Sequence, residues 1–239
     1  MKISLIFFSS LIFFNSSAFG STSENPVTVL TYHSISNHND TMSTSKETFI
    51  KQINYLQDKK VNFIDSKTLI NSIISKKELP KNTVVITFDD GWKNQNIAME
   101  ILTKYNIPAT FALVTKFQEH NYATCLQKAD FLKYQQSPFI YVNHSYTHNV
   151  KDFLISPNED LIKSEKVLNT LKKIPIHIEN YYVYPYGKRN PELIKFIKEH
   201  SYIAAFGVQG YKFSIHNVDI YNIPRFLVNE KTDLTKIIN

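Results

Sequence analysis

The feature that most constrains this chain is a repeated alternation of short apolar runs with segments of helical periodicity. The run Thr83–Phe88 is continuous and rich in β-branched residues, which is typical of a strand buried on both faces. Similar runs recur along the chain: Val27–Tyr32, Val61–Ile64, Pro108–Val114, Phe139–Val142, Tyr181–Tyr184, Ile203–Phe206 and Ile220–Val228. The alternation predicts an α/β fold, a distorted (β/α) barrel of about seven parallel strands.

Three segments have the composition of helix starts. Thr44–Glu47 has the pattern of a capping box, with the cap at its first residue and the acid at its last. In Ser156–Glu159 a serine precedes a proline in the first turn, and Asn190–Glu192 repeats this pattern with asparagine. Gln118–Ser137 is the least regular stretch, and we expect a partly helical insertion there.

The amino terminus has the pattern of an export signal. Lys2 supplies a positive charge, Ile3–Phe14 is apolar apart from three serines, and Ala18–Gly20 offers small residues for cleavage. The apolar run is shorter than the roughly 20 residues that a membrane-spanning helix needs. We therefore expect residues 1–20 to be a signal peptide and residues 21–239 to form one domain, exported to the periplasm, the cell surface or the medium.

Composition narrows the class of protein further. A hydrophobic content of 43% supports a sizeable core, and the single cysteine, Cys125, excludes an intrachain disulfide and is expected to be an inert thiol. The net charge of +6 comes from scattered lysines without a basic stripe interleaved with aromatics, which argues against nucleic-acid binding. The mild positive charge is compatible with peripheral association with an anionic envelope. We expect a monomer.

Two adjacent acids, Asp89 and Asp90, follow the Thr83–Phe88 strand and precede Gly91. A carboxylate at the end of a buried strand is costly unless it is paired or bound to metal, and active sites lie at the carboxyl ends of barrel strands. On an extended chain the two side chains would point to different sides, so one could bind a metal while the other faces a substrate. A plain Asp-Asp-Gly turn is the simpler alternative.

A pair of histidines, His144 and His148, follows the Phe139–Val142 run. Their spacing of four would place both imidazoles on the same side of a helical turn, where they could reach one ion. Together with Asp90 they make a two-histidine, one-carboxylate set with open positions. Such a set suits Zn²⁺, with Co²⁺ or Ni²⁺ as alternatives.

Four motifs occur in order: Thr-Phe-Asp-Asp-Gly at 87–91, Ile-Pro-Ala-Thr-Phe at 107–111, His-Ser-x-x-His at 144–148 and Tyr-Pro-Tyr-Gly at 184–187. In these motifs the chain resembles the NodB-type polysaccharide deacetylases of carbohydrate esterase family 4, over residues 27–228. The resemblance implies that Asp89 is the general base. It also implies that the backbone N–H of Tyr186 stabilises the oxyanion, that a protonated histidine supplies a proton to the leaving amine, and that the metal ligands are Asp90, His144 and His148.

The chain departs from the family pattern in two places. Val183 occupies the position of an arginine that orients the base in many members, and Arg225 is our candidate substitute, with a surface arginine as the alternative. The usual late Leu-x-x-His acid is matched only loosely by His216. We favour His33 as the acid because it ends the first buried strand, on the same face as Asp89 if the strands are parallel.

The Tyr-His pair at His33 and the Tyr-Pro-Tyr-Gly motif resemble the poly-β-1,6-N-acetylglucosamine deacetylases of biofilms. The resemblance implies metal-dependent hydrolysis of N-acetyl groups on such an exopolysaccharide, with peptidoglycan, chitin oligomers or a lipid-linked amino sugar as alternatives. A non-catalytic carbohydrate-binding barrel is the alternative of another class. Trp92 is expected either to stack on a sugar or to pack under its loop. Ser145 has no triad pattern around it, which disfavours a serine esterase.

Overall fold

The structure, a computed structural model, describes residues 25–38 and 40–238. In these residues the strands are β1 (Val27–Tyr32), β2 (Ser34–Ile35), β3 (Ser43–Thr44), β4 (Asn62–Phe63), β5 (Thr83–Phe88), β6 (Ala109–Leu113), β7 (Phe139–Asn143), β8 (His177–Val183), β9 (Ala204–Phe206) and β10 (Phe226–Leu227). The helices are α1 (Lys46–Asp58), α2 (Ser66–Ser75), α3 (Gln95–Lys104), α4 (Thr115–Glu119), α5 (Lys128–Lys133), α6 (Val150–Ile155), α7 (Pro157–Leu171) and α8 (Pro191–Glu199). None of the helices described is both long and apolar enough to cross a bilayer. The signal peptide predicted at residues 1–20 lies outside the described residues.

The main sheet is parallel throughout and follows the order β10-β1-β5-β6-β7-β8-β9. The short strand β4 pairs with the first half of β5, and β6 pairs with the second half. The predicted α/β architecture of about seven parallel strands is therefore confirmed. The sheet curls into the distorted half-barrel of the NodB type.

The predicted strand at Ile220–Val228 is wrong in extent, because this segment connects the two edges of the curled sheet. Ile223 makes a parallel bridge to Phe206 of β9 at one edge, and Phe226–Leu227 forms β10 beside β1 at the other. A segment that crosses from one edge to the other pairs only where it meets each edge. Arg225 lies between these two contacts, on the stretch that spans the opening.

Alternating strand residues divide the core into an outer and an inner set. On β5, Val84, Ile86 and Phe88 pack in the cluster that includes residues of α1 and α3, whereas Val85 packs in the cluster that contains residues of α2. A third cluster joins β8 and β9 to α6, α7 and α8. Cys125 is buried, and burial raises the pKa of its thiol.

The first helix begins one residue later than the capping box predicts. Ser45 is the cap of α1 and accepts from the amide of Thr48. The acid that accepts from the cap's own amide is Glu230, at 2.7 Å, rather than Glu47. The helix start is thus tied to the segment that follows β10. At the other two predicted starts, α7 begins after Ser156 and α8 after Asn190, whose side chain accepts from Leu193.

The carboxyl ends of β1, β5 and β7 converge at one edge of the sheet. His33 directly follows β1, Asp89 follows β5 and His144 follows β7. The amide of Asp89 donates to the carbonyl of Tyr32 at 2.9 Å, which continues the β1–β5 ladder to this edge. Parallel pairing in register therefore places these three chemically active side chains side by side.

Candidate metal centre and active-site cleft

A buried ion pair joins Arg225 to Asp89. The guanidinium donates to both carboxylate oxygens, Nη1 to Oδ1 at 2.7 Å and Nη2 to Oδ2 at 2.8 Å. Its Nη1 also reaches the hydroxyls of Thr31 and Thr87, and its Nε donates to the carbonyl of Gly207 at 2.8 Å. Arg225 is 0% exposed, so the surface alternative is wrong. The structure places it against Asp89, the predicted base. That it replaces the orienting arginine absent at Val183 stays a prediction.

The ion pair with Arg225 favours the ionised form of the Asp89 carboxyl. Burial raises the pKa of the carboxyl, but the guanidinium of Arg225 and the imidazole of His144 outweigh burial and hold that pKa well below its usual range. Asp89 is consequently ionised at neutral pH. A buried bidentate pair of this kind also fixes the orientation of both carboxylate oxygens.

His33 lies beside Asp89, with its Nε2 3.9 Å from Oδ2. Gln95, which is buried at the start of α3, donates to the backbone carbonyls of His33 and Asp89 at 2.9 and 2.6 Å and so joins the ends of β1 and β5. Burial lowers the pKa of His33 against the opposing effect of the Asp89 carboxylate. The alternative acid, His216, pairs instead with Glu78 at the amino-terminal edge of the sheet, opposite to the cleft.

Three side chains offer ligand atoms that lie within 4.8 Å of one another: Asp90, His144 and His148. Oδ1 of Asp90 is 3.5 Å from Nε2 of His144 and 3.4 Å from Nε2 of His148. Ligands about 2.0–2.2 Å from a tetrahedral zinc ion are separated by roughly 3.3–3.6 Å, so these two separations fit such an ion. Nδ1 of His144 donates to the carbonyl of Val183 at 2.8 Å, which leaves the lone pair on Nε2 for the cation.

The electrostatics of these ligands suit a cation. Burial disfavours a charged His144, but the carboxylates of Asp89 and Asp90 together raise its pKa, so negative charge dominates around this ring. At His148, burial and the neighbouring His144 lower the pKa to about 4. A neutral imidazole is the form that binds a metal.

The local backbone at these ligands differs from both sequence-based expectations. His144–His148 forms a loop rather than a helical turn, with left-handed backbone at Ser145 (φ 67°) and His148 (φ 64°). Asp90 also has a positive φ, 75°, so it does not continue the extended strand. Left-handed backbone is costly for residues other than glycine, and its concentration here indicates a loop held by its surroundings.

Several hydrogen bonds hold the histidine loop in this form. The hydroxyl of Ser145 accepts from the amide of His148 at 2.8 Å, and the amide of Tyr146 donates to both oxygens of Asp160 at 3.0 and 3.1 Å. Asp160 is almost fully buried. Ser145 therefore shapes the loop through a backbone amide.

The three candidate metal ligands line a cleft of about 1170 Å³. Trp92 and Tyr186 line it on different sides, and the Tyr186 ring is 4.5 Å from that of His148. Tyr186 is 61% exposed and has a left-handed backbone (φ 57°). The role of its backbone N–H in binding an oxyanion stays a prediction. Trp92 packs on Phe117, as one of its two expected roles requires. It also lines the cleft, and its stacking on a sugar stays a prediction.

Gln95 and Asp160 support the site but were not identified in the sequence. Each is a polar residue in the apolar stripe of a helix: Gln95 precedes Ala98, Met99 and Leu102, and Asp160 precedes Val167 and Leu168. A polar side chain at a position that periodicity assigns to the core requires a buried partner. A polar residue in an apolar helix stripe was therefore the sequence signal that could have identified Gln95 and Asp160.

Comparison with known proteins agrees with this geometry. Residues 76–205 match the model of the family described as polysaccharide deacetylase. The chain belongs to the polysaccharide deacetylase family. The matched residues contain Asp89, Asp90 and both histidines of the loop, whereas His33 and Arg225 lie outside them.

Individual relatives of this chain are distant in sequence. The putative polysaccharide deacetylase YxkH of Bacillus subtilis is 25% identical over 178 residues, which cover 73% of this chain and 61% of the relative. The chain thus spans about three fifths of the length of that protein. Deacetylase PplD of Streptococcus pyogenes, solved with acetate, has 18% identity and a TM-score of 0.80 over 91% of this chain and all of that one. A de-N-acetylase from Aggregatibacter actinomycetemcomitans has 20% identity and a TM-score of 0.75 over 89% of this chain and 98% of the other.

Proposed function

We propose that this protein is a metal-dependent hydrolase that removes N-acetyl groups from an amino-sugar polysaccharide. The observation that carries the proposal is the convergence of three ligand atoms, on Asp90, His144 and His148, beside the ionised carboxylate of Asp89. Family membership supports the reaction class. The relatives described as a deacetylase with acetate and as a de-N-acetylase support acetyl groups on nitrogen.

A bound divalent ion supplies Lewis acidity, which polarises a carbonyl oxygen and makes water acidic near neutral pH. Asp89 provides the base: Arg225 keeps it ionised and fixes its oxygens, so it is ready to accept a proton from the attacking water. Its low pKa makes it a weak base. Efficient turnover therefore needs a second group that takes the proton onward.

We propose His33 for that step. Its Nε2 is 3.9 Å from Oδ2 of Asp89, slightly beyond hydrogen-bond distance, and it lines the same cleft. Its lowered pKa makes the imidazole neutral at rest, so it is able to receive a proton during the reaction and deliver it to the departing amine. The backbone N–H of Tyr186 is our candidate donor to the developing oxyanion.

The shape of the cleft supports a polymeric substrate. A second cavity of about 500 Å³ adjoins the main one, and both are lined by Met42, Asp90 and Trp92. Cavities of about 300–1000 Å³ accommodate an entire small ligand, so the combined space exceeds the need of one sugar ring. We propose poly-β-1,6-N-acetylglucosamine as the first candidate, on the Tyr-His and Tyr-Pro-Tyr-Gly motifs.

Acidic glycans, such as peptidoglycan strands with the carboxylates of their peptide stems, are a second candidate substrate. Two lysines, Lys151 and Lys188, line the main cleft outside the metal ligands, and both residues are exposed. Cations on the rim favour a substrate that carries negative charge. Neutral glycans, both chitin oligomers and poly-β-1,6-N-acetylglucosamine, have no such advantage.

Acetate release is the direct test. Purified protein with Zn²⁺, Co²⁺ or Ni²⁺ is expected to release acetate from at least one N-acetylated glycan, with activity lost to a chelator and restored by metal. Asp89→Asn should lower turnover about 10²–10⁴-fold with metal still bound, whereas the exposed Asp58→Asn should not. Absence of acetate release from every glycan class with every metal would refute the proposal, and glycan binding alone would favour a non-catalytic barrel.

A second measurement tests the acid. His33→Gln should lower turnover while metal affinity is retained, and His216→Gln should leave turnover unchanged because its side chain lies at the opposite edge of the sheet. The reverse result would transfer the role to His216.

We also propose that residues 1–20 are removed on export and that the mature protein acts in the periplasm, at the cell surface or in the medium. Mass spectrometry of the protein recovered from these fractions tests this. A full-length mass in the cytosol alone would contradict it.

A further inference from the structure

The indole of Trp92 makes a hydrogen bond that the proposed reaction has not used. Its Nε1–H donates to Oδ2 of Asp90 at 2.9 Å. The other oxygen of the same carboxylate, Oδ1, is the atom that lies 3.5 and 3.4 Å from the two imidazole nitrogens of the metal site. The indole therefore engages one oxygen of Asp90 and leaves the other directed toward the ligand cluster.

Trp92 is itself held firmly. Its backbone forms an antiparallel bridge with Cys125, flanked by a hydrogen bond from Lys93 to Thr124 and another from Leu126 to Gly91. Its ring packs against Phe117, with centroids 5.9 Å apart. A donor attached to a fixed backbone and a packed ring restricts the rotation of the carboxylate that it contacts.

Restriction of this carboxylate matters because, unlike Asp89, Asp90 has no arginine on its two oxygens among the described residues. A carboxylate with two free oxygens can bind a cation through one or both of them. The indole N–H is the group that distinguishes the two oxygens here.

We propose that Trp92 is a positioning residue that holds Oδ2 of Asp90, so that the carboxylate presents Oδ1 alone to a divalent cation. The inference rests on the metal site of the proposed function. It predicts that loss of the indole N–H weakens metal binding and changes coordination geometry, because Asp90 then rotates or binds through both oxygens. Loss of a partner of this kind commonly lowers metal affinity about 10–100-fold.

The test compares two variants of the full chain. Trp92→Phe removes the N–H and keeps an aromatic ring, whereas Phe117→Leu loosens the ring packing and keeps the N–H. Competition with a chromophoric chelator should give a dissociation constant for Zn²⁺ about 10–100-fold higher in Trp92→Phe, with a smaller change in Phe117→Leu. The visible spectrum of bound Co²⁺, which reports coordination geometry, should change in Trp92→Phe and persist in Phe117→Leu.

A measurement on the unmodified side chain covers the case in which Trp92→Phe does not fold. Trp92 is the single tryptophan of the sequence, so a ¹⁵N spectrum contains one indole N–H signal that needs no assignment. That signal should exchange slowly with solvent and should shift in Asp90→Asn. An indole proton in rapid exchange and insensitive to Asp90→Asn would overturn the proposal.

The outcomes separate the two proposals. A wild-type protein that binds no divalent metal would refute the proposed function, and this inference with it. Normal metal affinity and an unchanged Co²⁺ spectrum in a folded Trp92→Phe variant would refute the positioning role alone.

Discussion

The two sides of the cleft are built in different ways. On one side, Asp89 and His33 end regular parallel strands, and Arg225 neutralises Asp89 through two short hydrogen bonds. On the other side, Asp90 and His148 have left-handed backbone, and their ligand atoms face each other rather than a protein cation. On the first side, the charge of Asp89 is balanced by a residue of the protein itself, Arg225. The second, in the proposed function, is completed by a bound cation.

This difference separates stability from metal chemistry. A buried charge that loses its partner is strongly destabilising, so the Asp89 side should dominate folding energetics. Acceptors grouped around an ion site contribute to stability chiefly through the ion that binds there. Perturbations of the two sides should therefore differ in kind.

The largest effect is expected from Arg225→Leu. The substitution leaves the Asp89 carboxylate buried without its partner, and unfolding in urea should show a loss of about 3–5 kcal/mol. The double variant Asp89→Asn/Arg225→Leu, which removes both charges, should recover much of this loss. A loss below about 1 kcal/mol in the single variant would show that the Asp89–Arg225 pair contributes less to stability than its buried geometry indicates.

A smaller effect is expected at Asp160, which accepts hydrogen bonds from the histidine loop. Its dependence on pH is opposite to that of Asp89. Burial raises the pKa of Asp160 from 3.8 to about 6, against the lowering effect of the amides of Tyr146 and Thr147. An acid whose pKa rises on folding stabilises the folded state at low pH, and this contribution declines as pH increases from about 4 to about 6. Relative to Asp160→Asn, wild type should lose on the order of 3 kcal/mol over that window.

A pH titration of stability also compares the two sides of the cleft, because folding shifts the pKa of Asp89 in the opposite direction to that of Asp160. Its pKa is lowered on folding, so its contribution is present above the ordinary aspartate pKa and is lost as pH falls below it. Urea midpoints at several pH values should show both trends. A difference between wild type and Asp160→Asn that does not vary with pH would contradict the assignment to Asp160.

The smallest effect is expected from Ser145→Ala. The change removes the hydroxyl that accepts from the amide of His148 and should cost about 1 kcal/mol of stability, together with some metal affinity. Ser75→Ala, which removes an exposed hydroxyl from the last turn of α2, is the matched control and should change neither quantity. Equal effects in the two variants would show that the loop does not depend on this bond.

The strand-linked half of the site was accessible from sequence because strand ends converge in a parallel barrel. The apolar runs before His33 and Asp89 predicted β1 and β5, and their carboxyl ends could then be assigned to one edge. The conformation at Asp90 and His148 was not accessible, since left-handed backbone leaves no mark in the apolar pattern and the loop is held partly by Asp160, which lies in a separate helix. The Ile220–Val228 run was composed like a strand, but only the curvature of the sheet determines where such a segment pairs.

The crossing segment at residues 220–227 has a consequence for the order in which the molecule matures. In chain order it is the last segment of the main sheet, and within the described residues it carries the only arginine that touches Asp89. Until it docks, the carboxylate lacks its counter-ion and the opening between β9 and β1 remains unbridged. Closure of the sheet and neutralisation of Asp89 therefore depend on the same segment and occur together.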